Sequence, residues 1–312
     1  MNPTETITLR EVGPRDGLQL VKAIVPTEHK IAWVRRAVDA GVPEVEVTSL
    51  VPPKVSPQFA DAGDVAEAVV GLPGYVPSAL TPNLKGAERG LALGFPKLNY
   101  VMSASEEHSL ANSRRPSEAS IEDFERIVEA RNAGAPDTRL GAGIATTFGC
   151  TIQGEVPEAR VYEIASRLAG LGADEIILAD TVGYANPAQV KRIVAGVKRE
   201  IGDLPIVIHL HDTRGLGLAN MTAGIEAGVR FFDASVGGLG GCPFAPGASG
   251  NINLEDAAFL AESMGFATGI DFDKLMALRE RVEAWLPGER FAGQLSQSGL
   301  PKGFHAAAAQ AA

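Results

Sequence analysis

Short runs of apolar residues alternate with longer amphipathic runs along this chain from residue 7 onward. The short runs are typical of buried strands, whereas apolar positions that recur every three to four residues are typical of helices. The pattern predicts eight strands, at residues 7–12, 44–49, 75–80, 97–102, 139–147, 175–180, 205–211 and 230–236. It predicts eight intervening helices at 27–40, 58–70, 85–93, 121–133, 158–170, 187–200, 217–227 and 254–263, and an additional helix at 271–285.

Regular alternation of strand and helix at this spacing predicts parallel strands joined by right-handed crossovers, and eight such units predict a closed (β/α)₈ TIM barrel. An open doubly wound sheet is the alternative, but no Gly-x-Gly-x-x-Gly turn follows the first strand. Glycine follows five predicted helices and is expected to end them in the left-handed conformation, at Gly41, Gly94, Gly134, Gly172 and Gly228. We expect one barrel domain over residues 1–300 and a low-complexity tail over residues 301–312.

Charge and composition exclude several classes of partner. The chain has 28 basic and 38 acidic side chains, a formal net charge of −10, which argues against nucleic acid or an anionic membrane as partner. No apolar run approaches the roughly 20 residues that span a bilayer. Residues 1–6 have neither a basic nor an apolar targeting region, so we expect a cytoplasmic location. The two cysteines, Cys150 and Cys242, are too few for a disulfide framework and are expected as free thiols.

A glycine-dense stretch, residues 237–250, contains six glycines and Cys242. It lies between the predicted eighth strand and the helix at 254–263, and therefore at the C-terminal end of a strand. Loops at that end of a parallel barrel carry binding and catalytic groups. A flexible connector with an incidental cysteine is the simpler interpretation, but other polar groups are predicted to converge on the same place.

Two further stretches end at the same face of the predicted barrel. Arg15 and Asp16 follow the first strand, where an Arg-Asp pair is either functional or a surface salt bridge. His209 and His211 are two apart at the end of the seventh strand, so both are expected to face the barrel interior. Two imidazoles at this spacing predict a pair of metal ligands. With a carboxylate from Asp16 and an amide oxygen from Asn251, the donor set favours Mg²⁺ or Mn²⁺ over structural zinc.

Four motifs together resemble one known family. They are Gly-Pro-Arg-Asp-Gly-Leu-Gln at 13–19, Thr-Pro-Asn at 81–83, His-Leu-His-Asp-Thr at 209–213 and Ser-Val-Gly-Gly-Leu-Gly-Gly-Cys-Pro-Phe at 235–244. The chain resembles the 3-hydroxy-3-methylglutaryl-CoA lyases of the DRE-TIM metallolyase superfamily from about residue 6 to residue 300. The cysteine-loop motif is specific to these lyases, whereas the His-x-His and Arg-Asp motifs are shared with superfamily relatives.

The resemblance implies a divalent-metal-dependent barrel enzyme that cleaves a 3-hydroxyacyl-CoA into acetyl-CoA and a keto acid. It implies an acyl-CoA substrate, a homodimer and no redox cofactor. The implied metal ligands are Asp16, His209, His211 and Asn251, and the other implied active-site residues are Arg15, Glu46, Asp180, Cys242 and Glu255. Asn83 and Lys85 follow the third strand and are candidates for contacts with the polar part of CoA.

Retro-Claisen cleavage gives each of these residues a role. The enzyme must take a proton from a tertiary hydroxyl, break the C2–C3 bond and hold the thioester enolate until it is protonated. Arg15 is expected to stabilise the enolate oxygen, and Cys242 to protonate the carbanion. His209 and Asp180 are alternative bases, although Asp180 is equally interpreted as a helix cap. Glu46 is expected to pair with Arg15 and, by the same resemblance, Glu255 to orient the loop or a ligand.

Three departures from the family pattern are expected near the acyl pocket. Leu20-Val21 stands where Asn-Glu is usual, Thr151-Ile152-Gln153 where Pro-Tyr is usual, and Arg214, a candidate substrate contact, where tyrosine is common. They leave a citramalyl-CoA or a longer branched glutaryl-CoA as alternative substrates. A Claisen-condensing acyltransferase of the isopropylmalate-synthase type and a catalytically silent metal- or CoA-binding protein are the remaining alternatives. The acyltransferases have an extended C-terminal region and lack the Gly-Gly-Cys-Pro loop.

Overall fold

Eight parallel strands close into a barrel in the computed structural model, which describes residues 5–241 and 250–307. The strands follow each other in chain order around the barrel, and β1 closes it by pairing with β8. They are β1 Thr8–Glu11, β2 Glu44–Ser49, β3 Val76–Thr81, β4 Lys97–Ser103, β5 Arg139–Ala145, β6 Glu175–Ala179, β7 Ile206–His209 and β8 Phe231–Ala234. The predicted (β/α)₈ barrel is confirmed.

Eleven helices surround the barrel in the described part of the chain. They are α1 Thr27–Asp39, α2 Ala62–Val69, α3 Leu84–Ala92, α4 Glu106–Ser113, α5 Ser117–Gly134, α6 Glu158–Leu171, α7 Pro187–Ile201, α8 Gly217–Glu226, α9 Leu254–Ser263, α10 Phe272–Trp285 and α11 Leu295–Ser298. All nine predicted helices are present, but the segment at 58–70 divides into a 3₁₀ turn, Pro57–Phe59, and α2. The sequence pattern did not predict α4 and α11. None of the helices in the described ranges is both long and apolar enough to cross a bilayer.

Capping residues account for several of these boundaries. Asn83 precedes α3 and accepts a hydrogen bond from the backbone N–H of Gly86 at 3.0 Å. Asn186 caps α7 in the same way, with Pro187 at the first helical position. Four of the five predicted helix-ending glycines have positive φ, at Gly41, Gly94, Gly172 and Gly228. The prediction for Gly134 is wrong, because it is the last helical residue of α5 and its φ is not positive.

The apolar core lies between the strands and the helices, and the lower barrel interior is ionic. Outward-facing strand residues such as Ile208 and Phe232 are fully buried against the helices. Inside the barrel, Lys97 Nζ donates to Glu44 at 2.7 Å and to Glu175 at 2.8 Å. Arg10 donates to the same cluster through Glu175 and Asp233. Buried charges are tolerated only when they are paired, and this packed cluster forms the floor beneath the upper barrel.

Candidate active site

A cavity of about 690 Å³ opens at the C-terminal ends of the barrel strands. Its walls come from all eight strands and from the connections that follow them. Of the predicted site residues, six line it: Arg15, Asp16, Glu46, Asn83, His209 and His211. The expected convergence of separate motifs on one face is therefore present.

Asp16, His209 and His211 form a cluster of potential metal ligands. One ligand atom from each lies within 4.8 Å of the others, and all three side chains are buried. The Nε2 atoms of His209 and His211 are 3.1 Å apart. Asp16 Oδ2 lies 4.0 Å from His209 Nε2 and 3.9 Å from His211 Nε2. The predicted extension of β7 to residue 211 is wrong, because the strand ends at His209 and His211 forms an isolated bridge with Asn251. That bridge brings the fourth predicted ligand into the cluster.

Asn251 supplies a test of whether this cluster fits a cation. Its Nδ2 donates to Asp16 Oδ2 at 2.8 Å and to the Leu239 carbonyl at 3.0 Å, while its buried Oδ1 has no hydrogen-bond partner. A Cβ atom on Gly240 would lie 2.4 Å from Asn251 Nδ2, so the start of the glycine-dense loop approaches the cluster closely. Two imidazoles, a carboxylate and a free amide oxygen fit a divalent cation of the Mg²⁺ or Mn²⁺ class.

Neighbouring charges set the protonation of these ligands. Burial alone would raise the pKa of Asp16, but the Arg15 guanidinium and the two histidines lower it well below its usual range. Burial would lower the pKa of His209, but Asp233 and Asp16 raise it above its ordinary value. Asp233 Oδ2 lies 3.1 Å from His209 Nδ1, which leaves Nε2 facing the cluster. A carboxylate in this position orients a metal-binding imidazole.

Arg15 is held between two carboxylates at the edge of the cluster. Its Nε donates to Glu46 Oε2, and its Nη1 donates to Asp16 Oδ1 at 2.8 Å. The predicted pairing of Glu46 with Arg15 is confirmed. The other oxygen of Glu46 accepts from Asn99 Nδ2 at 2.9 Å, so Glu46 is fixed at both oxygens. The guanidinium therefore has little freedom to leave the cavity wall.

Asp180 is buried directly after β6 and next to Thr181, which lines the cavity. Its Oδ1 accepts the backbone N–H groups of Tyr184 at 2.7 Å and Ala185 at 3.1 Å, and Oδ2 has no hydrogen-bond partner. The helix-cap interpretation is wrong, because Asn186 caps α7 while Asp180 closes the preceding turn. Burial raises the pKa of Asp180, an effect that His211 partly opposes.

Two buried carboxylates bond the backbone at the base of the glycine-dense loop, and one of them, Glu11, also bonds the turn after β1. Glu11 accepts from the backbone N–H of Gly13 at 2.7 Å and of Val236 at 2.9 Å. Glu255, which is predicted to orient the loop or a ligand, accepts from Gly237 N–H at 3.1 Å. Both side chains are fully buried. Burial raises the pKa of Glu11, and raises that of Glu255 to about 7.

Some predicted residues are not brought into the cavity. Arg214 lies at a second cavity of about 480 Å³, where its guanidinium is 4.5 Å from the centre of the Tyr184 ring and donates to the Gly183 carbonyl at 2.9 Å. Lys85 lies in the first turn of α3 and does not line the active-site cavity. Cys242 lies outside the described residues, although its neighbour Gly241 lines the cavity.

Several cavity residues were missed by the sequence predictions, among them Ser49, Asn99 and Arg115. Arg115 donates to Asp123 and to the Pro82 carbonyl, and its Nε has no hydrogen-bond partner. Its position depends on α4, which the sequence pattern did not predict. Asn99 is a polar residue at an alternate position of a predicted apolar strand, and that signal was available in the sequence.

Comparison with known proteins gives one consistent answer. The family model described as HMGL-like matches residues 6–282. A hydroxymethylglutaryl-CoA lyase of Bacillus subtilis is 38% identical over 89% of this chain and 92% of its own length. The mitochondrial hydroxymethylglutaryl-CoA lyase of Gallus gallus is 38% identical over 87% of this chain and 91% of its own.

Solved structures agree with this result. An HMG-CoA lyase from Acinetobacter baumannii, in complex with coenzyme A and 3-methylmalate, is 41% identical and superposes with a TM-score of 0.91 over 98% of this chain and 99% of its own. The Bacillus subtilis HMG-CoA lyase is 35% identical, with a TM-score of 0.90 over 96% of this chain and 99% of its own. The chain therefore belongs to the HMGL-like family.

Proposed function

We propose that this protein is a divalent-metal-dependent carbon–carbon lyase that cleaves 3-hydroxy-3-methylglutaryl-CoA, or a related 3-hydroxyacyl-CoA, to acetyl-CoA and a 3-oxo acid. The convergence of Asp16, His209, His211 and Asn251 beside Arg15 is the observation that carries the proposal. The relatives named above support the reaction class. The hydroxydicarboxylate and coenzyme A bound together in the Acinetobacter structure support an acyl-CoA substrate.

Asp16, His209, His211 and Asn251 would hold the cation, with Mg²⁺ and Mn²⁺ both suited to the donor set. Bound there, it would lower the pKa of the substrate's 3-hydroxyl and polarise the carbonyl that forms from it. Asp233 fixes the ring of His209 for this purpose. The low pKa of Asp16 keeps its carboxylate charged and ready to bind.

Arg15 stabilises the charge that develops on the thioester oxygen. Because Glu46 and Asp16 hold the guanidinium in place, its remaining N–H groups are oriented before the substrate binds. A preoriented, charged donor is most effective where water is excluded. Negative charge at that oxygen develops only as the C2–C3 bond breaks, so the contact favours the transition state over bound substrate.

Two groups are candidates for accepting the hydroxyl proton. His209 can accept it only while its Nε2 is not bound to the cation, and the Asp233 carboxylate at Nδ1 would then stabilise the imidazolium. Asp180 is the alternative, with a partner-free Oδ2 and a raised pKa. We assign the second proton transfer, to the carbanion of acetyl-CoA, to Cys242. Glu11 and Glu255 hold the base of the loop that carries it.

The reaction is tested by incubating metal-reconstituted protein with hydroxymethylglutaryl-CoA and measuring acetyl-CoA and acetoacetate. We expect production of both in equal amounts, a loss of activity with EDTA, and a fall in kcat of about 10²-fold or more in Cys242→Ala. Cys150→Ala is the matched control, since Cys150 is buried outside the cavity. Intact Mn²⁺ binding without cleavage of this or any related ester would contradict the proposal.

Location and assembly stay predictions. Cytoplasmic relatives include the human 3-hydroxy-3-methylglutaryl-CoA lyase, 38% identical over 87% of this chain, while other matched lyases are mitochondrial. We propose a cytoplasmic homodimer. Cell fractionation tests the location, and light scattering of the purified protein tests the dimer.

A further inference from the structure

The active-site cavity has two walls of opposite character. The wall formed by β1, β2, β7 and the turn after β1 carries the charged and imidazole groups described above. On the wall formed by β4, β5 and β6, five of the residues that line the cavity are apolar or very small: Val101, Gly143, Ala145, Ile177 and Ala179. The polar residue Asn99, two positions before Val101 on β4, also lines the cavity and is bonded to Glu46. In the closed order of eight strands, β5 lies across the barrel from β1. A ligand held by the polar wall therefore faces this apolar wall.

Val101 shows that the apolar wall is open to the cavity. It is the single exposed residue of β4, at 38%, and it lines the cavity. Its neighbours Tyr100 and Met102 point to the opposite face of the strand and are buried. An apolar side chain that faces into a barrel and still has a third of its surface exposed gains free energy when a ligand covers it.

Gly143 lines the cavity and presents no side chain to it. The three atoms nearest to a Cβ placed there all belong to β4, with Val101 Cγ2 at 3.0 Å and the Tyr100 carbonyl oxygen at 3.3 Å. Its φ is not positive, so the backbone does not require glycine. At Gly141, two residues earlier, a Cβ would lie 2.5 Å from Asn99 Oδ1, and packing does require glycine. Ala145, two residues further along β5, also lines the cavity and has only a methyl side chain.

We propose that Val101, Gly143, Ala145, Ile177 and Ala179 form a subsite for an alkyl group at C3 of the substrate that is longer than methyl. The inference rests on the proposed lyase function and specifies its substrate class as 3-hydroxy-3-alkylglutaryl-CoA. With the C3 hydroxyl at the Asp16, His209 and His211 cluster, the alkyl group is the one substituent of C3 without a polar atom. The apolar wall opposite is the environment in which it is most stable.

Cleavage of such a substrate needs no further co-reactant. The 3-hydroxyl loses its proton and becomes a carbonyl, and the electron pair of the C2–C3 bond passes to C2. C2 then takes up a proton, which gives acetyl-CoA and a 3-oxo acid that retains the alkyl chain. The proton released and the proton taken up balance, and no atom is oxidised or reduced by an external reagent.

Steady-state kinetics with the C3-methyl and C3-propyl esters test the subsite. Burial of two additional methylenes predicts a kcat/KM for the propyl ester roughly tenfold or more above that for the methyl ester. Val101→Phe fills the subsite and should lower kcat/KM for the propyl ester at least tenfold more than it lowers kcat/KM for the methyl ester. Ala133→Leu, an exposed position on α5, is the control. If the unmodified protein has a kcat/KM for the methyl ester equal to or higher than that for the propyl ester, the inference is overturned.

Binding measurements separate failure of the subsite from failure of the proposed reaction. The 3-propylglutaryl and 3-methylglutaryl thioesters of CoA lack the hydroxyl and cannot be cleaved, so their Kd values report the subsite alone. We expect the propyl ester to bind about tenfold more tightly, and Val101→Phe and Ala145→Leu each to remove that preference. If the propyl ester binds more tightly but neither hydroxylated ester is cleaved, only the lyase proposal is contradicted. If the hydroxylated esters are cleaved but the propyl ester binds no more tightly than the methyl ester, the subsite proposal is overturned.

Discussion

Asp233 joins the ionic barrel floor to the candidate metal cluster, because its Oδ2 lies 3.1 Å from His209 Nδ1 while its Oδ1 accepts from Arg10 Nε at 2.6 Å. Burial would raise the pKa of Asp233, but Arg10 and His209 lower it well below its usual range. The carboxylate is therefore charged wherever the protein is folded near neutral pH. It fixes the orientation of the imidazole and favours Nε2 as the ligand atom.

Asp233→Asn should weaken divalent-metal binding. The amide keeps the size of the side chain but removes the charge that stabilises and orients His209, and losses of about 10- to 100-fold in metal affinity are typical of such changes. Titration calorimetry with Mn²⁺ measures the effect. Glu175→Gln is the matched control, since it removes a carboxylate bonded to the same Arg10 without touching His209. An equal loss of affinity in both variants would show that the floor, rather than Asp233, supports the site.

Arg15→Lys should lower kcat strongly while the protein still binds Mn²⁺. Lysine keeps the charge but cannot bond Glu46 and Asp16 at once while directing a further N–H into the cavity. Loss of one oriented donor to a developing oxyanion lowers kcat about 10²- to 10³-fold. Rapid-quench measurement of acetyl-CoA formation isolates this step. A kcat within threefold of that of the unmodified protein would assign the enolate contact to another group.

The fold was predictable because apolar periodicity is a short-range pattern. The residues of the candidate metal cluster were predictable because each follows or ends a strand at the same face of the barrel. Apolar periodicity predicted eight strands and nine helices, and glycines correctly marked the ends of four of those helices. The pair His209 and His211 could be placed by strand alternation, although β7 ends earlier than predicted and a bridge to Asn251 positions the second imidazole. The Arg15 and Glu46 pair followed from the need of a buried carboxylate for a partner.

Other features depend on contacts between segments distant in the chain, which periodicity does not encode. Arg214 follows the histidine motif directly, yet its side chain stacks on Tyr184 beside a second cavity. Glu11 lies within a predicted strand, and only the tertiary fold brings it to the backbone of Val236. Arg115 reaches the cavity through α4, whose weakly amphipathic sequence gave no helical signal.

Asn83 and Lys85 should respond differently to substitution by alanine. Asn83 caps α3, so Asn83→Ala should lower the free energy of unfolding by about 1 kcal/mol, as measured by urea denaturation. Lys85→Ala should leave stability within about 0.5 kcal/mol, as is usual for surface positions. If Lys85 contacts the phosphates of CoA, its loss should raise KM severalfold at constant kcat and reduce the salt dependence of KM. An unchanged KM in Lys85→Ala would remove this residue from the substrate site.

Glu255 should make the folded state less stable as pH rises. Its pKa is about 7 in the folded protein against an ordinary value of 4.5, chiefly because of burial, with Arg279 opposing the shift. The folded state therefore binds this proton more tightly than the unfolded state. The resulting stabilisation is fully present below pH 4.5 and is lost as pH rises through about 7, with a total of about 3 kcal/mol. Glu11, whose pKa is also raised, contributes with the same sign.

Glu255→Gln isolates this contribution, because the amide oxygen still accepts from Gly237 while the titration is removed. The free energy of unfolding is measured by urea denaturation at pH 5 and at pH 8. We expect its fall from pH 5 to pH 8 to be about 2 kcal/mol smaller in the variant than in the unmodified protein. Glu283→Gln is the control, since Glu283 bonds the same Arg279 from a partly exposed position. An identical pH dependence in the unmodified protein and Glu255→Gln would mean that Glu255 stays ionised in the folded state. Arg279 would then offset the effect of burial on the pKa of Glu255. The loop carrying Cys242 would be held by a charged rather than a neutral carboxyl group.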